Sequence, residues 1–220
     1  MPTGAGKSLC YQFPASISDF KTIIVSPLVA LIDDQHSSLK LLGIPANKLH
    51  SHLQRDVAVQ HWLEFKDGNS GILFLSPERL LQQRMLDALS NLNIGLFVID
   101  EAHCISKWGS DFRPEYAELS RLKTVFPKAT IAAFTATADS ATQKDIVAKL
   151  THNDCDVTVT GFDRPNLSLA VMQKANIKLQ ITEFLENRGK DSGIIYCLSR
   201  KETEELANYL SQRGFNAHCY

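Results

Sequence analysis

Short apolar and β-branched runs alternate along this 220-residue chain with longer stretches of helical periodicity. Such alternation is typical of parallel sheets, because each pair of parallel strands needs a crossover connection that is usually a helix. Several of the runs are apolar at every position, which indicates strands covered on both faces. The predicted fold class is therefore α/β, with a parallel sheet between two layers of helices. The predicted strands are Thr22–Ser26, Gly71–Leu75, Leu96–Ile99, Thr130–Thr135, Val157–Thr160, Gly193–Cys197 and Ala217–Tyr220.

The ends of several helices are also marked in the sequence. Two pairs have the spacing of capping boxes, Ser140 with Gln143 and Ser199 with Glu202. Gly189 and Gly214 stand where helices are predicted to end. Two apolar stripes with helical spacing are predicted to pack into the core, and they consist of Leu81, Met85 and Leu89 and of Ile177, Ile181 and Phe184.

The composition excludes several classes of protein. The chain has 23 Lys and Arg residues against 24 Asp and Glu residues, which gives a formal net charge of −1. This balance excludes a protein that coats nucleic acid with a uniformly basic surface, but local contacts with phosphate remain possible. The sequence has no run of about 18 apolar residues and no N-terminal signal pattern, so the chain is predicted to stay inside the cell and off the membrane. The five cysteines include no C-x-x-C pair and are predicted to be reduced, mostly buried thiols.

A glycine-rich segment near the start of the chain has the composition of a phosphate-binding loop. It reads Thr3, Gly4, Ala5, Gly6, Lys7 and Ser8, and an apolar helix is predicted to follow. Glycines let backbone N–H groups turn toward phosphate oxygens, and the helix N-terminus adds its positive dipole end. Lys7 is then placed to reach the β- and γ-phosphates, and the Ser8 hydroxyl to coordinate Mg²⁺. The strict pattern has a further glycine where Met1 stands, so a chance glycine turn before a helix is the alternative.

A second motif places two carboxylates at the end of a predicted strand. The apolar run Leu96–Ile99 is followed by Asp100, Glu101, Ala102 and His103. Ligand sites in parallel α/β sheets lie at the carboxyl ends of strands. Asp100 is therefore predicted to hold the metal, directly or through water, and Glu101 to orient and deprotonate the water that attacks the γ-phosphate. A helix cap or a solvated turn is the alternative interpretation of such an acidic pair.

Together these segments closely resemble the RecQ family of ATP-dependent DNA helicases, in its bacterial form, and the resemblance runs nearly end to end. Met1–Gln12 resembles motif I, with Ala5 where many members have glycine, and Asp100–His103 resembles motif II. The further matches are Val25–Leu28 through Asp34 and Gln35 to motif Ia, Ser76–Leu80 to motif Ib, Phe134–Ala138 to motif III, Cys104–Tyr116 to the aromatic-rich loop, and Phe162–Asn166 and Ile195–Arg200 to the entry and motif IV of the second motor domain.

The segment that resembles the aromatic-rich loop also suits nucleic-acid binding on physical grounds. Trp108 and Phe112 offer flat faces on which any base can stack, worth about 1–3 kcal/mol per base, and Arg113 can pair with phosphate. The small and polar residues 109–111 between the two aromatics indicate an exposed turn. The alternative is that both aromatic side chains are core residues.

The resemblance implies a set of ligands and functional residues. The cofactors are ATP and Mg²⁺, and the partner is single-stranded or partly duplex DNA, with no membrane and no protein partner specified. His103 is implied to relay the state of the γ-phosphate to the coupling threonines, while capping a helix is its alternative role. The implied residues are Lys7, Asp100, Glu101 and His103 for catalysis, Thr3, Gly4, Ala5, Gly6, Lys7 and Ser8 for ATP, Ser8 and Asp100 for the metal, Ser26, Pro27, Ser76, Trp108, Phe112 and Arg113 for DNA, and Thr135 and Thr137 for coupling.

The resemblance also implies two RecA-like motor domains, the first over residues 1–160 and a truncated second over 161–220. In the family a strand and an adenine-recognition motif precede motif I, and motifs V and VI carry the arginine finger further on. We therefore expect a fragment, weakly active alone, of a cytoplasmic, nucleoid-associated 3′–5′ helicase of DNA recombination and repair. The alternatives are a nucleotide-dependent DNA-binding switch without unwinding activity and a truncated product that does not fold stably.

Overall fold

A computed structural model of the chain describes residues 1, 4–68, 71–106, 112–151, 154–161, 166–189 and 191–219. The predictions made for Thr3, Trp108 and Phe162–Pro165 lie outside these residues. The chain divides into two compact units, Met1–Asp163 and Arg164–Tyr220. The larger unit contains the sheet, and the described helices of the smaller unit are the last two of the chain.

The larger unit is built on a five-stranded sheet in which every neighbouring pair of strands is parallel. Along the sheet the order is β2-β3-β1-β4-β5. In this register Ile23 lies between Leu73 and Phe97. The parallel sheet of the predicted α/β class is confirmed. The strands are β1 (Lys21–Val25), β2 (Ala46–Leu49), β3 (Gly71–Leu75), β4 (Ile94–Ile99) and β5 (Thr130–Ala133).

Helices connect the strands and cover both faces of the sheet. No helix among the described residues is long and apolar enough to cross a membrane. Two short 3-10 helices, Ala102–Ile105 and Leu119–Arg121, interrupt the connection from β4 to β5. The α-helices are α1 (Lys7–Ile17), α2 (Val29–Leu41), α3 (Arg55–Asp67), α4 (Pro77–Leu80), α5 (Gln83–Ser90), α6 (Pro114–Glu118), α7 (Leu122–Val125), α8 (Ser140–Thr151), α9 (Ile177–Glu186) and α10 (Arg200–Gln212).

The central strands are buried on both faces of the sheet. Successive side chains of a strand point to opposite faces, so each strand contributes to two apolar clusters. On β1, Ile23 and Val25 join one apolar cluster, and Ile24 joins a second cluster with Tyr11 of α1 and Ile32 of α2. All five residues of β1 are buried. The run of apolar residues in β1 therefore reflects two cores, with helices on either side.

Four predicted strands are present, most with shifted ends. The prediction at Gly71–Leu75 is confirmed, while β1 lies one residue earlier than predicted. β4 already begins at Ile94, and β5 ends at Ala133. The prediction lacks β2 because Ala46–Leu49 contains no β-branched residue, and pairing with β3 is what makes this segment a strand.

Three predicted strands are wrong. Val157–Thr160, Gly193–Cys197 and the described residues 217–219 of the last prediction are not strands. Val157 and Val159 line a cavity of about 630 Å³ beside β5, so the segment lies near that strand without pairing with it. Tyr196 is 90% exposed. A β-branched run forms a strand only where a neighbour takes up its backbone hydrogen bonds.

The helix-end predictions have different outcomes. Ser199 accepts a hydrogen bond from the backbone N–H of Glu202 at 3.2 Å, which confirms the cap of α10. The box predicted at Ser140 is wrong, because the Asp139 carboxylate accepts the N–H of Thr142 at 2.8 Å instead. An ionised carboxylate is a stronger acceptor than a hydroxyl, so the cap lies one residue earlier. The helix ends expected at Gly189 and Gly214 are confirmed, since both glycines have positive φ just beyond α9 and α10.

Burial departs from prediction at the stripes and the cysteines. Leu81, Met85 and Leu89 pack on the core as predicted, but they are divided between the end of α4 and α5. The prediction of a packed stripe on α9 is wrong within the described chain, because Ile177 and Phe184 are 42% and 53% exposed. The prediction of mostly buried cysteines is wrong. Cys104 is buried and Cys197 is half-buried, whereas Cys10, Cys155 and Cys219 are exposed.

His36 on α2 makes the stability of the fold depend on pH. Its side chain is buried, and burial, together with the nearby charges of Lys48, His61 and Lys40, lowers its pKa from the ordinary 6.5 to about 4. Between these pH values the unfolded chain binds a proton that the folded chain does not bind. The free energy of unfolding therefore decreases as the pH falls from about 6.5 to about 4.

We expect the melting temperature to fall less between about pH 7.5 and about pH 5 in His36→Leu than in the wild type, because leucine does not titrate. Melting curves followed by circular dichroism measure this difference. His218→Leu is the control, since His218 is exposed and should leave the pH dependence unchanged. Equal losses for His36→Leu and the wild type would show that another group controls the acid sensitivity.

Candidate nucleotide-binding site

The glycine-rich segment forms a tight turn that leads into α1. Gly4 and Gly6 both have left-handed backbone conformations, with φ of 81° and 79°. A side chain at either position would be strained, so these positions require glycine. Gly6 is the residue before α1 and provides no side-chain cap. The first N–H groups of the helix therefore point toward the place where an anion would bind.

Lys7 and Ser8 are the first two residues of α1, and both side chains are half-buried. Ala5 lies between the two glycines and is exposed. This placement agrees with the predicted loop, in which an ammonium and a hydroxyl project at the start of a helix. The prediction for Thr3 falls outside the described residues.

Asp100 lies at the carboxyl end of β4 and is only 5% exposed. Its backbone N–H donates to Val25 of β1 at 2.9 Å, and its carbonyl oxygen accepts the hydroxyl of Tyr116 at 2.9 Å. One carboxylate oxygen accepts the N–H of Glu101 at 3.0 Å. The acid is thus fixed by the sheet on one side and by α6 on the other.

Tyr11, one turn into α1, brings the phosphate loop and the acid together. Its hydroxyl lies 3.4 Å from Oδ2 of Asp100 and 3.0 Å from Oε1 of Gln35. Burial raises the pKa of Tyr11, and the charge of Asp100 raises it further, whereas hydrogen bonds with the Ser8 and Gln35 side chains lower it. Ser8 and Asp100 therefore approach the same phenol from two elements.

The oxygen atoms gathered around Tyr11 suit Mg²⁺. That ion prefers oxygen ligands and is usually held by one or two carboxylates together with substrate phosphates. Ser8 and Asp100 provide a hydroxyl and a carboxylate at the edge where the phosphate loop begins. No cluster of three or more His, Cys, Asp or Glu side chains able to hold a metal occurs in the part of the chain that the structure describes.

Glu101 has a left-handed backbone, with φ 48° and ψ 45°, and no other described non-glycine residue has positive φ. Such a conformation costs about 1–3 kcal/mol and persists only where the surroundings enforce it. The neighbouring backbone does so, since the N–H of Ala102 donates to Phe134 at 2.9 Å. The Glu101 side chain is 27% exposed, whereas the preceding Asp100 is 5% exposed.

His103 links the acidic pair to the segment after β5. Its Nδ1 lies 3.3 Å from Oε2 of Glu101, 2.9 Å from Oγ1 of Thr135 and 3.4 Å from Oγ1 of Thr137. The backbone N–H of Thr137 also donates to Thr135 Oγ1 at 3.2 Å. The structure therefore brings together the four residues that were predicted to act in base catalysis and coupling.

Three of the residues predicted to bind DNA share a cavity with the catalytic candidates. The cavity, of about 530 Å³, is lined by Pro27, Phe112 and Arg113 together with Glu101, His103 and Thr137. The guanidinium of Arg113 donates to the carbonyl of Pro27 at 2.9 Å, and its backbone N–H donates to Cys104. Phe112 is partly exposed at this cavity and does not belong to the buried core.

The other predicted DNA contacts are less accessible. Ser26 directly follows β1 and Ser76 directly follows β3, and these two strands are neighbours in the sheet. Ser26 is 1% exposed, and its hydroxyl has no hydrogen-bond partner among the residues that the structure describes. Ser76 caps α4 through Arg79. The prediction for Trp108 falls outside the described residues.

Sequence reasoning missed three residues around Asp100, namely Tyr11, Gln35 and Tyr116. Each stands on a helix and contacts the acid across the core. All three lie in segments that resemble family motifs, but the only signal of their contact with Asp100 is a polar group at a position with the spacing of a buried helix face, and many solvated residues share that signal.

Lys7→Ala is expected to weaken nucleotide binding about 10- to 100-fold, because hydrogen bonds to charged groups are worth about 1.5–3 kcal/mol. Titration with a fluorescent ATP analogue in the presence of Mg²⁺ measures this change. Lys66→Ala is the matched control, since Lys66 is exposed in the last turn of α3, which packs against β2. Unchanged affinity of the Lys7 variant would remove the phosphate-binding assignment.

A parallel sheet with a phosphate loop and an acidic pair at the end of a buried strand defines a nucleotide-binding domain of the P-loop class. The sequence matches the DEAD/DEAH box helicase family over residues 1–146. The chain belongs to the DEAD/DEAH box helicase family.

Within that family the chain is similar to RecQ helicases. It is 42% identical over 221 residues to the ATP-dependent DNA helicase RecQ of Haemophilus influenzae, covering 100% of this chain and 36% of that protein. It is 40% identical over 220 residues to the ATP-dependent DNA helicase RecQ of Pasteurella multocida, covering 100% and 35%. The resemblance inferred from the motifs is confirmed, and the chain spans about a third of the length of these relatives.

A solved structure of the DUF1998 helicase MrfA has the same fold. It matches with a TM-score of 0.67 over 97% of this chain and 35% of that one. At 20% sequence identity this likeness concerns the fold alone.

Proposed function

We propose that the chain is the nucleotide-binding part of an ATP-dependent DNA helicase of the RecQ type, with residues 1–160 as the first RecA-like domain and 161–220 as part of the second. The observation that carries the proposal is the approach of Tyr11, on the helix that begins with Lys7 and Ser8, to within 3.4 Å of Asp100, with Glu101 next along the chain. A helix start, an ammonium and two carboxylates then face one anionic ligand. These are the groups that bind the phosphates and the metal and that activate water in the cleavage of a γ-phosphate.

Each residue has a distinct part in this chemistry. The N–H groups at the start of α1 and the Lys7 ammonium bind the β- and γ-phosphates. Ser8 and Asp100 would hold Mg²⁺, which neutralises phosphate charge when it is bound. Glu101 orients the attacking water and accepts its proton. His103 lies 3.3 Å from Glu101 and 2.9 Å from Thr135. Through these two contacts it transmits a change at the γ-phosphate to the segment after β5.

The proposed DNA contacts lie at the cavity lined by Phe112 and Arg113. An aromatic face there would stack on a base without regard to sequence, and the guanidinium would pair with phosphate. Because the same cavity is lined by Glu101 and His103, a strand bound there would affect the catalytic side chains directly. We propose that this arrangement couples hydrolysis to 3′–5′ translocation and unwinding, in DNA recombination and repair at the nucleoid.

The test is ATP hydrolysis by the 220-residue chain and by the full-length protein, each with and without single-stranded DNA. We expect DNA-stimulated hydrolysis by the full-length protein and weak hydrolysis by the shorter chain. Unwinding is measured on duplexes with a 3′ or a 5′ single-stranded tail, and the 3′ tail should be required. DNA-stimulated hydrolysis without strand separation would favour a DNA-binding switch, and absence of ATP binding would contradict the proposal altogether.

A further inference from the structure

The side chain of Asp100 is contacted from two helices and by the backbone of the next residue. Oδ1 accepts the N–H of Glu101 at 3.0 Å. Oδ2 lies 3.4 Å from the amide nitrogen of Gln35 on α2 and 3.4 Å from the hydroxyl of Tyr11 on α1. Both oxygens of the carboxylate therefore have polar neighbours before any ligand binds.

The orientation of the Gln35 amide follows from its donors. Its Oε1 accepts the Tyr11 hydroxyl at 3.0 Å and the Gln12 amide at 3.4 Å. In the reversed orientation the amide oxygen of Gln35 would face the Asp100 carboxylate, and neither group could donate a hydrogen bond. With Oε1 so occupied, the Gln35 NH₂ group is directed at Asp100.

Tyr11 strengthens this arrangement. A phenol has one proton, and its distance to Gln35 Oε1, 3.0 Å, is shorter than its distance to Asp100 Oδ2, 3.4 Å. Tyr11 is 1% exposed, so its hydroxyl has little access to competing water. Donation by Tyr11 thus holds the amide of Gln35 with its NH₂ group toward the carboxylate, and hydrogen bonds in such a chain reinforce one another.

We propose that Gln35 is a positioning residue that holds the Asp100 carboxylate in the orientation in which it binds the nucleotide's metal ion. The proposal rests on the proposed function, since it deepens the metal-binding role of Asp100. Residues that orient a metal ligand typically contribute about 10- to 100-fold to metal affinity. Gln35 also belongs to the segment that resembles motif Ia, and the proposal gives it a role at the nucleotide rather than at the DNA backbone.

The test separates metal binding from nucleotide binding. The affinity of the 220-residue chain for a fluorescent ATP analogue is measured in EDTA, and Mg²⁺ is then titrated at a fixed nucleotide concentration. In Gln35→Leu we expect about a tenfold weaker apparent Mg²⁺ affinity with an unchanged affinity in EDTA. Leucine preserves most of the volume of glutamine, so a loss of packing is minimised.

The control is Gln83→Leu, which removes a similar contact between an amide and a carboxylate, Gln83 to Asp87 at 2.7 Å, on the exposed face of α5. Gln35→Met provides a second variant in case the leucine variant does not fold. It keeps the length of the side chain but has no N–H donor and no charge, so its Mg²⁺ affinity should also be lower than that of the wild type.

Two results would overturn the proposal. One is an unchanged Mg²⁺ affinity in the folded variant, and the other is an equal loss of affinity with and without Mg²⁺, which a merely structural role would produce. Failure of the proposed function looks different, because the wild type itself would then show no Mg²⁺-dependent nucleotide binding.

Discussion

Glu101→Gln is expected to leave the binding of ATP with Mg²⁺ unchanged and to lower kcat by about 10²–10⁴-fold. Glutamine keeps the size and the hydrogen-bonding reach of the side chain, but it cannot accept a proton from the attacking water. Lys7, Ser8 and Asp100 are untouched, so the phosphates and the metal should bind as before. Hydrolysis at saturating ATP and single-stranded DNA measures this change.

The matched control is Glu118→Gln on α6, because the Glu118 side chain is 60% exposed and its contact with Arg121 is 4.0 Å long. An exposed pair of this kind contributes little, so both turnover and stability should remain those of the wild type. A kcat close to normal in Glu101→Gln would exclude Glu101 as the base. A kcat that falls only in parallel with ATP affinity would instead indicate a role in binding.

Phe97→Ala is expected to lower the free energy of unfolding by about 3–5 kcal/mol. Phe97 is 0% exposed in the middle of β4, and its ring centroid lies 4.8 Å from that of Phe126. Truncation leaves a cavity against this second ring, and the parallel strands on either side cannot collapse to fill it. Urea denaturation of the 220-residue chain should show a lower midpoint with an unchanged slope.

Phe13→Ala is the control for the same substitution at a surface position. Phe13 lies on α1 and is 60% exposed, so its truncation loses little buried area, and alanine favours the helix. A similar shift for the two variants would mean that β4 is not at the centre of the core. A broad, non-cooperative transition of the wild type would favour the expectation of a chain that does not fold stably alone.

The parts of the site that could be predicted from sequence are those determined by neighbouring residues. Gly4 and Gly6 leave few conformations other than a turn before a helix, and the apolar run ending at Asp100 must be a buried strand. Both patterns depend on short-range geometry. Because ligand sites in parallel α/β sheets lie at the carboxyl ends of the strands, the loop and the acid are then predicted to lie at one edge of the sheet.

The parts that could not be predicted depend on distant packing. Glutamate rarely adopts a left-handed backbone, so nothing in the sequence indicates the conformation of Glu101, which the contact between Ala102 and Phe134 enforces. Likewise, Gln35 reaches Asp100 only through the packing of α2 on the sheet, where the helix contacts β2 and β3. For β2, pairing with β3 outweighs a sequence that lacks β-branched residues.

The pairing of β1 has a consequence for how the chain folds. Ile23 is paired with Leu73 and Phe97, both of which lie far along the sequence, and no neighbouring strand in the sheet forms a hairpin with it. Closing these long connections costs conformational entropy before the central contacts can form, so folding should be slow. Until β3 and β4 arrive, β1 presents an apolar segment with open edges, and association between partly folded molecules then competes with refolding as protein concentration rises.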